Sequence, residues 1–259
     1  MLDDEVVVIT GVGPGLGSKL AVRAAAEGAK VVLAARSTEV MTQVCKDIAA
    51  AGGEAVAVPC DVRKPEDVAR LAQTAVDRFG TITGLVNSAF GHPGFADLLA
   101  TPEKALRRSM DIILYGALGV TREVVPHMKA AGRGSIVNIG TMATRKPLRG
   151  EGGYAVAKAA MATATQFLAL ELGRHGIRAN QAVMGWLDGP SVRYFLKLTA
   201  DGRGITEQEA YDEVAARNPL GRIPTDEACV GAVLFLLSRN ASEITGATLD
   251  INAGEYMPA

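Results

Sequence analysis

Short apolar runs alternate along the chain with longer stretches in which apolar residues recur every three or four positions. Val6-Val7-Val8-Ile9, Val31-Val32-Leu33, Ala55 to Val58, Leu85-Val86, Ser135 to Ile139, Ile177 to Val183 and Thr248 to Ile251 carry little polar alternation. Each therefore predicts a strand buried on both faces. Helices are predicted between them over 16–28, 38–51, Pro65 to about Phe79, Pro102 towards Met128, 153–174 and 225–238. Gly52-Gly53 closes the second helix and Pro65 opens the third. Strands separated by helices give an α/β fold with a seven-stranded parallel sheet, and right-handed crossovers make it doubly wound. The stretch 190–222 reads as irregular to helical, an excursion over the top of the sheet. Neither a repeat nor a domain-sized linker interrupts the pattern, so residues 1–259 are expected to form a single domain.

Composition narrows the function. Apolar residues make up 48% of the chain, which excludes disorder. With 27 basic and 28 acidic side chains there is no basic excess to suggest nucleic acid. No apolar run is long enough for a membrane span, and the acidic start Met1-Leu2-Asp3-Asp4-Glu5 does not read as a signal peptide. Three scattered cysteines (Cys45, Cys60, Cys229) suit reduced thiols in the cytoplasm. His92, His127 and His175 lack metal-ligand spacing, so no metal site is expected.

Thr10-Gly11-Val12-Gly13-Pro14-Gly15-Leu16-Gly17 lies between the first strand and the first helix. A doubly wound sheet binds a dinucleotide pyrophosphate there, because glycines admit the phosphates to the backbone and the helix N-terminus offers free N–H groups. Gly11, Gly15 and Gly17 follow G-x-x-x-G-x-G, whereas Leu16 breaks the six-residue G-x-G-x-x-G fingerprint. A merely tight turn is the plainer alternative. The second strand ends Ala34-Ala35-Arg36, with no acidic residue to take a ribose 2′-hydroxyl. Arg36 can instead hold a 2′-phosphate, which favours NADP(H) and leaves NAD(H) open. It is otherwise an ordinary surface arginine.

Tyr154 and Lys158 stand at i,i+4 spacing on a helix that follows strand five. This puts both polar ends on one face, where an ammonium is expected to lower the phenol pKa and make Tyr154 a proton donor for carbonyl reduction. Alone, the spacing is common on solvated helix faces.

Together these features resemble the short-chain dehydrogenase/reductase family over nearly the whole chain, from Thr10 to Asn252. The likeness adds Cys60-Asp61-Val62, Leu85-Val86-Asn87-Ser88-Ala89, Ser135-Ile136-Val137-Asn138-Ile139-Gly140-Thr141 and Ile177-Arg178-Ala179-Asn180. It implies a Rossmann-type domain whose segment 190–222 is a substrate lid. Asp61 and Val62 would meet the adenine, and Asn87 and Ala89 its ribose. Lys158 would hold the nicotinamide ribose and tune Tyr154. Thr141, thirteen residues before Tyr154, would be the catalytic hydroxyl, and Gly185 to Leu187 would meet the carboxamide.

Four positions depart from the family pattern. Phe90 replaces a glycine, Met184-Gly185 replaces Pro-Gly, and Gly189 replaces a threonine that often touches the cofactor. The fourth is Ile113, which stands where the family has the Asn that anchors a relay water; Ser109, one turn earlier, is the nearest polar substitute.

Other residues carry weaker signals. His92 and Trp186 are candidate substrate contacts, although His92 also reads as a solvated loop residue and Trp186 as a loop anchor. His127 and His175 fit helix ends. Arg145, Lys146 and Arg149 form a basic loop, solvated or facing an anionic substrate. Tyr194, Phe195, Leu196, Leu198 and Tyr211 give the lid an apolar inner face or ordinary helix packing.

The expected activity is NADPH-dependent reduction of a mid-sized apolar or alicyclic ketone, or the reverse alcohol oxidation. Alternatives are a cofactor-binding protein with little redox turnover, motivated by Ile113, and a lyase or isomerase. The helices at 102–131 and 153–174 resemble those that pair in family tetramers, so a homotetramer is expected, with a dimer as fallback.

Overall fold

The computed structural model describes residues 1–258. Seven strands, β1 (Val6–Thr10), β2 (Lys30–Ala35), β3 (Glu54–Pro59), β4 (Gly84–Asn87), β5 (Gly134–Thr141), β6 (Ile177–Met184) and β7 (Thr248–Ile251), form one sheet. Their order is β3-β2-β1-β4-β5-β6-β7, and every neighbouring pair is parallel. This is the expected doubly wound α/β architecture. The order reverses between β1 and β4, which opens a crevice at their carboxyl ends.

Alternation along β1 shows why the sheet is covered on both faces. Val7 and Ile9 pack beneath α1 (Leu16–Ala26), α2 (Glu39–Ala50) and α9 (Asp226–Leu237). Val6 and Val8 point the other way, to α3 (Pro65–Phe79), α5 (Ala117–Ala130) and α6 (Gly152–Leu172). Strands buried on both faces favour apolar residues on both, which is the pattern the sequence carries apart from hydrogen-bonded polar residues such as Asn87, Ser135 and Asn138.

Two predicted elements change. The single helix expected from Pro102 towards Met128 is α4 (Glu103–Met110), a π-helical turn over Asp111–Gly116, and then α5. A π-turn inserts an extra residue into the helix and shifts the faces on either side of it. Gly116 is needed there, since a Cβ would lie 2.6 Å from Val62 Cγ2. The excursion 190–222 is mostly ordered helix: α7 (Pro190–Arg203) and α8 (Glu207–Ala215). Pro190 opens α7, Gly204 ends it with φ +66°, and a Thr206–Glu209 capping box starts α8. The two helices pack through Leu196, Ala200, Ala210 and Val214, with Phe195 and Tyr211 against that cluster. Tyr194 and Leu198 are exposed instead, so only part of the predicted inner face is one. No helix among the described residues is long and apolar enough to cross a membrane.

Candidate active site

A cleft of about 400 Å³ opens at the carboxyl ends of the central strands, under the start of α7. Its floor is the glycine-rich turn. Gly11 has φ +75°, and a Cβ there would stand 2.6 Å from the Ala89 backbone nitrogen. A Cβ on Gly17 would stand 2.5 Å from the Gly11 carbonyl, whereas Gly13 looks onto open space. Helix α1 begins beyond Gly15 with no side-chain cap on its N–H groups. Gly11, Gly13, Gly15, Leu16 and Gly17 all line the cleft. A close backbone turn, open space above it and an uncapped helix N-terminus fit a dinucleotide diphosphate.

The residues predicted around the adenosine end divide differently. Arg36 is exposed just past β2 and makes no ion pair among the described residues. Asp61 follows β3, but Arg63 takes both its carboxylate oxygens at 2.9 and 2.5 Å. That hydrogen-bonded guanidinium holds the Asp61 carboxyl well below its usual value, to about 2. Val62 packs into the core against Gly116. Asn87 is buried, donating to Asn138 Oδ1 at 2.9 Å and Thr121 Oγ1 at 3.3 Å, and its own Oδ1 has no partner. Ala89 donates its N–H to Thr10 Oγ1 at 3.3 Å. None of these five is part of the cleft wall, which is formed at this point by Ser88 and Phe90.

The other predicted residues converge at the far end. Thr141 ends β5; its hydroxyl accepts from the Ala143 N–H at 3.3 Å and keeps its own proton for another acceptor. Tyr154 and Lys158 lie one turn apart near the start of α6, with the Lys158 Nζ 5.7 Å from the Tyr154 ring centre. Lys158 is buried and donates to the Ile139 carbonyl at 2.5 Å. Burial lowers its pKa to about 8. The expectation that the ammonium would lower the Tyr154 pKa is overturned. Desolvation and the nearby Glu151 carboxylate raise it instead. Gly185, Trp186 and Leu187 complete the wall beyond β6.

His92 is no solvated loop residue. Its ring lies 5.2 Å from that of Tyr154 and 4.4 Å from that of Phe95. Its Nδ1 accepts from the Gly94 N–H at 3.1 Å, so Nε2–H donates to Glu151 Oε2, also at 3.1 Å. Phe195 reaches the cleft from α7, 5.4 Å from Phe95 and 5.2 Å from Trp186, ring centre to ring centre.

The basic loop does not face the cleft as a free charge. Arg145 is paired with Asp250, Lys146 with Glu255 at 3.0 Å, and exposed Arg149 lies 3.6 Å from Asp97. His127 lies in the last turn of α5 and His175 in the turn after α6, as their helix-end reading requires.

Ile113 is buried in the π-turn against Ala157 and Met161, in the cluster that also holds Tyr154. Ser109 does not replace the missing Asn directly, because its hydroxyl proton goes to the Gly91 carbonyl at 2.8 Å.

Sequence reasoning missed Glu151, Phe95 and Asp226. The Gly189 departure was the available signal for Asp226. A Cβ at Gly189 would stand 2.6 Å from Asp226 Oδ2, so the carboxylate occupies the room a threonine side chain would need.

Residues 11–255 match the family model described as enoyl-(acyl carrier protein) reductase. The chain belongs to the short-chain dehydrogenase/reductase family. Among relatives of this family, the rabbit (Oryctolagus cuniculus) "Dehydrogenase/reductase SDR family member 4" is 32% identical, over 98% of this chain and 94% of its own length. The NAD+-bound xylitol dehydrogenase crystal structure superposes with a TM-score of 0.91 at 27% identity, covering 98% of this chain and 99% of that one. The crystal structure of a single-site variant of actinorhodin polyketide ketoreductase with NADPH also gives 0.91, at 29% identity and 98% and 99% coverage. As a short-chain dehydrogenase/reductase the chain is an oxidoreductase of nicotinamide cofactors, and its relatives use both forms.

Proposed function

We propose that this short-chain dehydrogenase/reductase reduces a mid-sized ketone with NADPH, Tyr154 being the proton donor. The observation that carries this reading is that Thr141, Tyr154 and Lys158 share one cleft with the glycine-rich turn. A bound nicotinamide supplies the hydride. Thr141 orients the carbonyl oxygen with the proton its hydroxyl retains. Tyr154 passes its own proton to that oxygen as negative charge develops there. A phenol with a raised pKa stays protonated at neutral pH, which suits reduction better than alcohol oxidation. Lys158, one turn away, stabilises the phenolate that remains and binds the cofactor ribose.

The NADPH preference is supported by Arg36, a cation with no ion pair among the described residues at the end of β2. Asp61, Val62, Asn87 and Ala89 are assigned to the adenosine side through their backbone more than their occupied or buried side chains. Gly185 and Leu187 are assigned to the carboxamide, and His92, Trp186 and Phe195 to the substrate. The whole chain acts as one domain in the cytoplasm, with 190–222 as its lid, and assembles as a homotetramer.

Ile113 favours a second reading, a cofactor-binding protein with little turnover. A panel of ketones and alcohols assayed in both directions with both cofactors separates the two. Reduction of at least one ketone by NADPH is expected. NADPH binding without turnover of any compound selects the second reading.

A further inference from the structure

Glu151 is the one carboxylate beside the reacting groups. It is the residue immediately before α6 and three before Tyr154, yet its side chain caps nothing. It turns instead to His92, 59 residues earlier in the chain, and both side chains are largely buried, 16% and 22% exposed. Because His92 Nδ1 accepts from the Gly94 N–H, its Nε2–H is the donor to the Glu151 carboxylate. Only Oε2 is engaged; Oε1 accepts nothing from the described residues. Oε1 is not enclosed by protein and faces the cleft, where a carboxylate oxygen is a strong hydrogen-bond acceptor.

The surroundings say what can match it. Lys158 is the only cation in the cleft wall; one N–H goes to the Ile139 carbonyl and the rest of the ammonium is assigned to Tyr154 and the cofactor ribose. Arg145 and Lys146 are held by Asp250 and Glu255. An anionic group therefore finds no counter-charge beside Glu151. The remaining wall is an arc of rings running from Tyr154 through His92, Phe95 and Phe195 to Trp186, neighbouring centres 4.4–5.4 Å apart. Such an arc packs against the flat C–H face of a ring.

We propose that Glu151 is a specificity-determining residue, and that the substrate is an uncharged ring ketone bearing a hydroxyl group close to the carbonyl, the hydroxyl donating to Glu151 Oε1. His92 holds the carboxylate at 3.1 Å while its own ring lies 5.2 Å from that of Tyr154, which puts the hydroxyl close to the reacting oxygen. His92 is a positioning residue that keeps the carboxylate turned into the cleft. The inference rests on the carbonyl-reduction reading but adds a substrate class to it.

The test compares cyclohexanone, 2-methoxycyclohexanone and 2-hydroxycyclohexanone with the purified full chain and NADPH. The native protein is expected to favour the hydroxy ketone in kcat/KM by about 10- to 100-fold over both others, mostly through KM. The methoxy compound matches the size but lacks the donor, so this arm needs no variant. In Glu151→Gln the ratio of hydroxy to parent ketone is expected to fall by at least tenfold. Binding is followed separately by quenching of Trp186, the sole tryptophan. Turnover of all three ketones with equal kcat/KM overturns the inference and leaves the reductase reading intact. An unchanged ratio in Glu151→Gln overturns it as well. Absence of turnover, with hydroxy-ketone quenching that Glu151→Gln abolishes, overturns the reductase reading and leaves Glu151 as the hydroxyl reader.

Discussion

Tyr154 is pulled in two directions. Lys158 would favour its phenolate, but burial and Glu151 raise its pKa, so the resting group is the phenol. Tyr154→Phe removes the transferable proton and leaves the cofactor cradle untouched. Turnover is expected to fall by ~10²–10⁴-fold with NADPH affinity nearly unchanged; native-like turnover would show that the proton comes from elsewhere. Lys158 gives a pH signature. Its folded pKa of about 8 lies below the 10.5 of a free lysine, so between those values the unfolded chain holds more protons. Stability therefore rises with pH across that window, and the burial penalty is fully present below it. Lys158→Met is expected to gain stability relative to the native protein at pH 7, with the gap narrowing by pH 10 in thermal melts without cofactor. Arg36 tests cofactor choice. NADPH should bind more tightly than NADH, and Arg36→Ala should erase most of the difference, each charge-assisted hydrogen bond being worth about 1.5–3 kcal/mol. Equal binding of both cofactors by the native protein would exclude that role. Tyr154, Lys158 and Thr141 were legible in the sequence because their spacing is local or tied to a family pattern. Glu151 was not, because its meaning depends on His92, a contact made only when the loop after β4 folds onto the start of α6.

At the scale of elements, periodicity revealed the strands and most helices, because burial on both sheet faces leaves short, largely apolar runs in which polar residues such as Asn87 and Asn138 must pair with each other. It could not reveal the π-turn in Asp111–Gly116. The turn depends on a tertiary fit, the bare Cα of Gly116 against Val62, and its residues are as helix-compatible as those around them. The turn begins just after Ser109, whose hydroxyl donates to the Gly91 carbonyl. Ile113 sits inside this turn in an apolar cluster with Tyr154. Ile113→Asn puts an amide there, which is expected to cost about 1–3 kcal/mol in denaturant unfolding. If proton resupply limits the native enzyme, steady-state turnover should rise in the variant while single-turnover hydride transfer stays within about twofold. A fall in both rates with unchanged stability would show that Ile113 belongs to the working site.

At the scale of the molecule, the sheet and its switch-point crevice follow from the order of elements, whereas the expected assembly is argued from the surface. Helix α6 buries one side on the sheet through Ala169 and Leu172, and leaves Val156, Phe167 and Leu170 52%, 58% and 78% exposed. With Ala159 and Thr163, both also exposed, these positions recur at three- and four-residue steps, so they form one stripe on the face turned from the sheet. Tyr115, 61% exposed, adds a further apolar side chain from the neighbouring π-turn. A continuous apolar stripe is poorly matched to water and well matched to the same stripe on a second copy related by a twofold axis. The native chain is expected to sediment as a tetramer at micromolar concentration, with a dimer as the smaller closed form. Replacing Phe167 and Leu170 together by Glu places like charges opposite each other across that axis and should leave smaller species that keep the far-ultraviolet circular dichroism of the fold. A native protein that sediments as a monomer removes the stripe from the assembly. A double variant that still forms the native oligomer assigns the contact to another face.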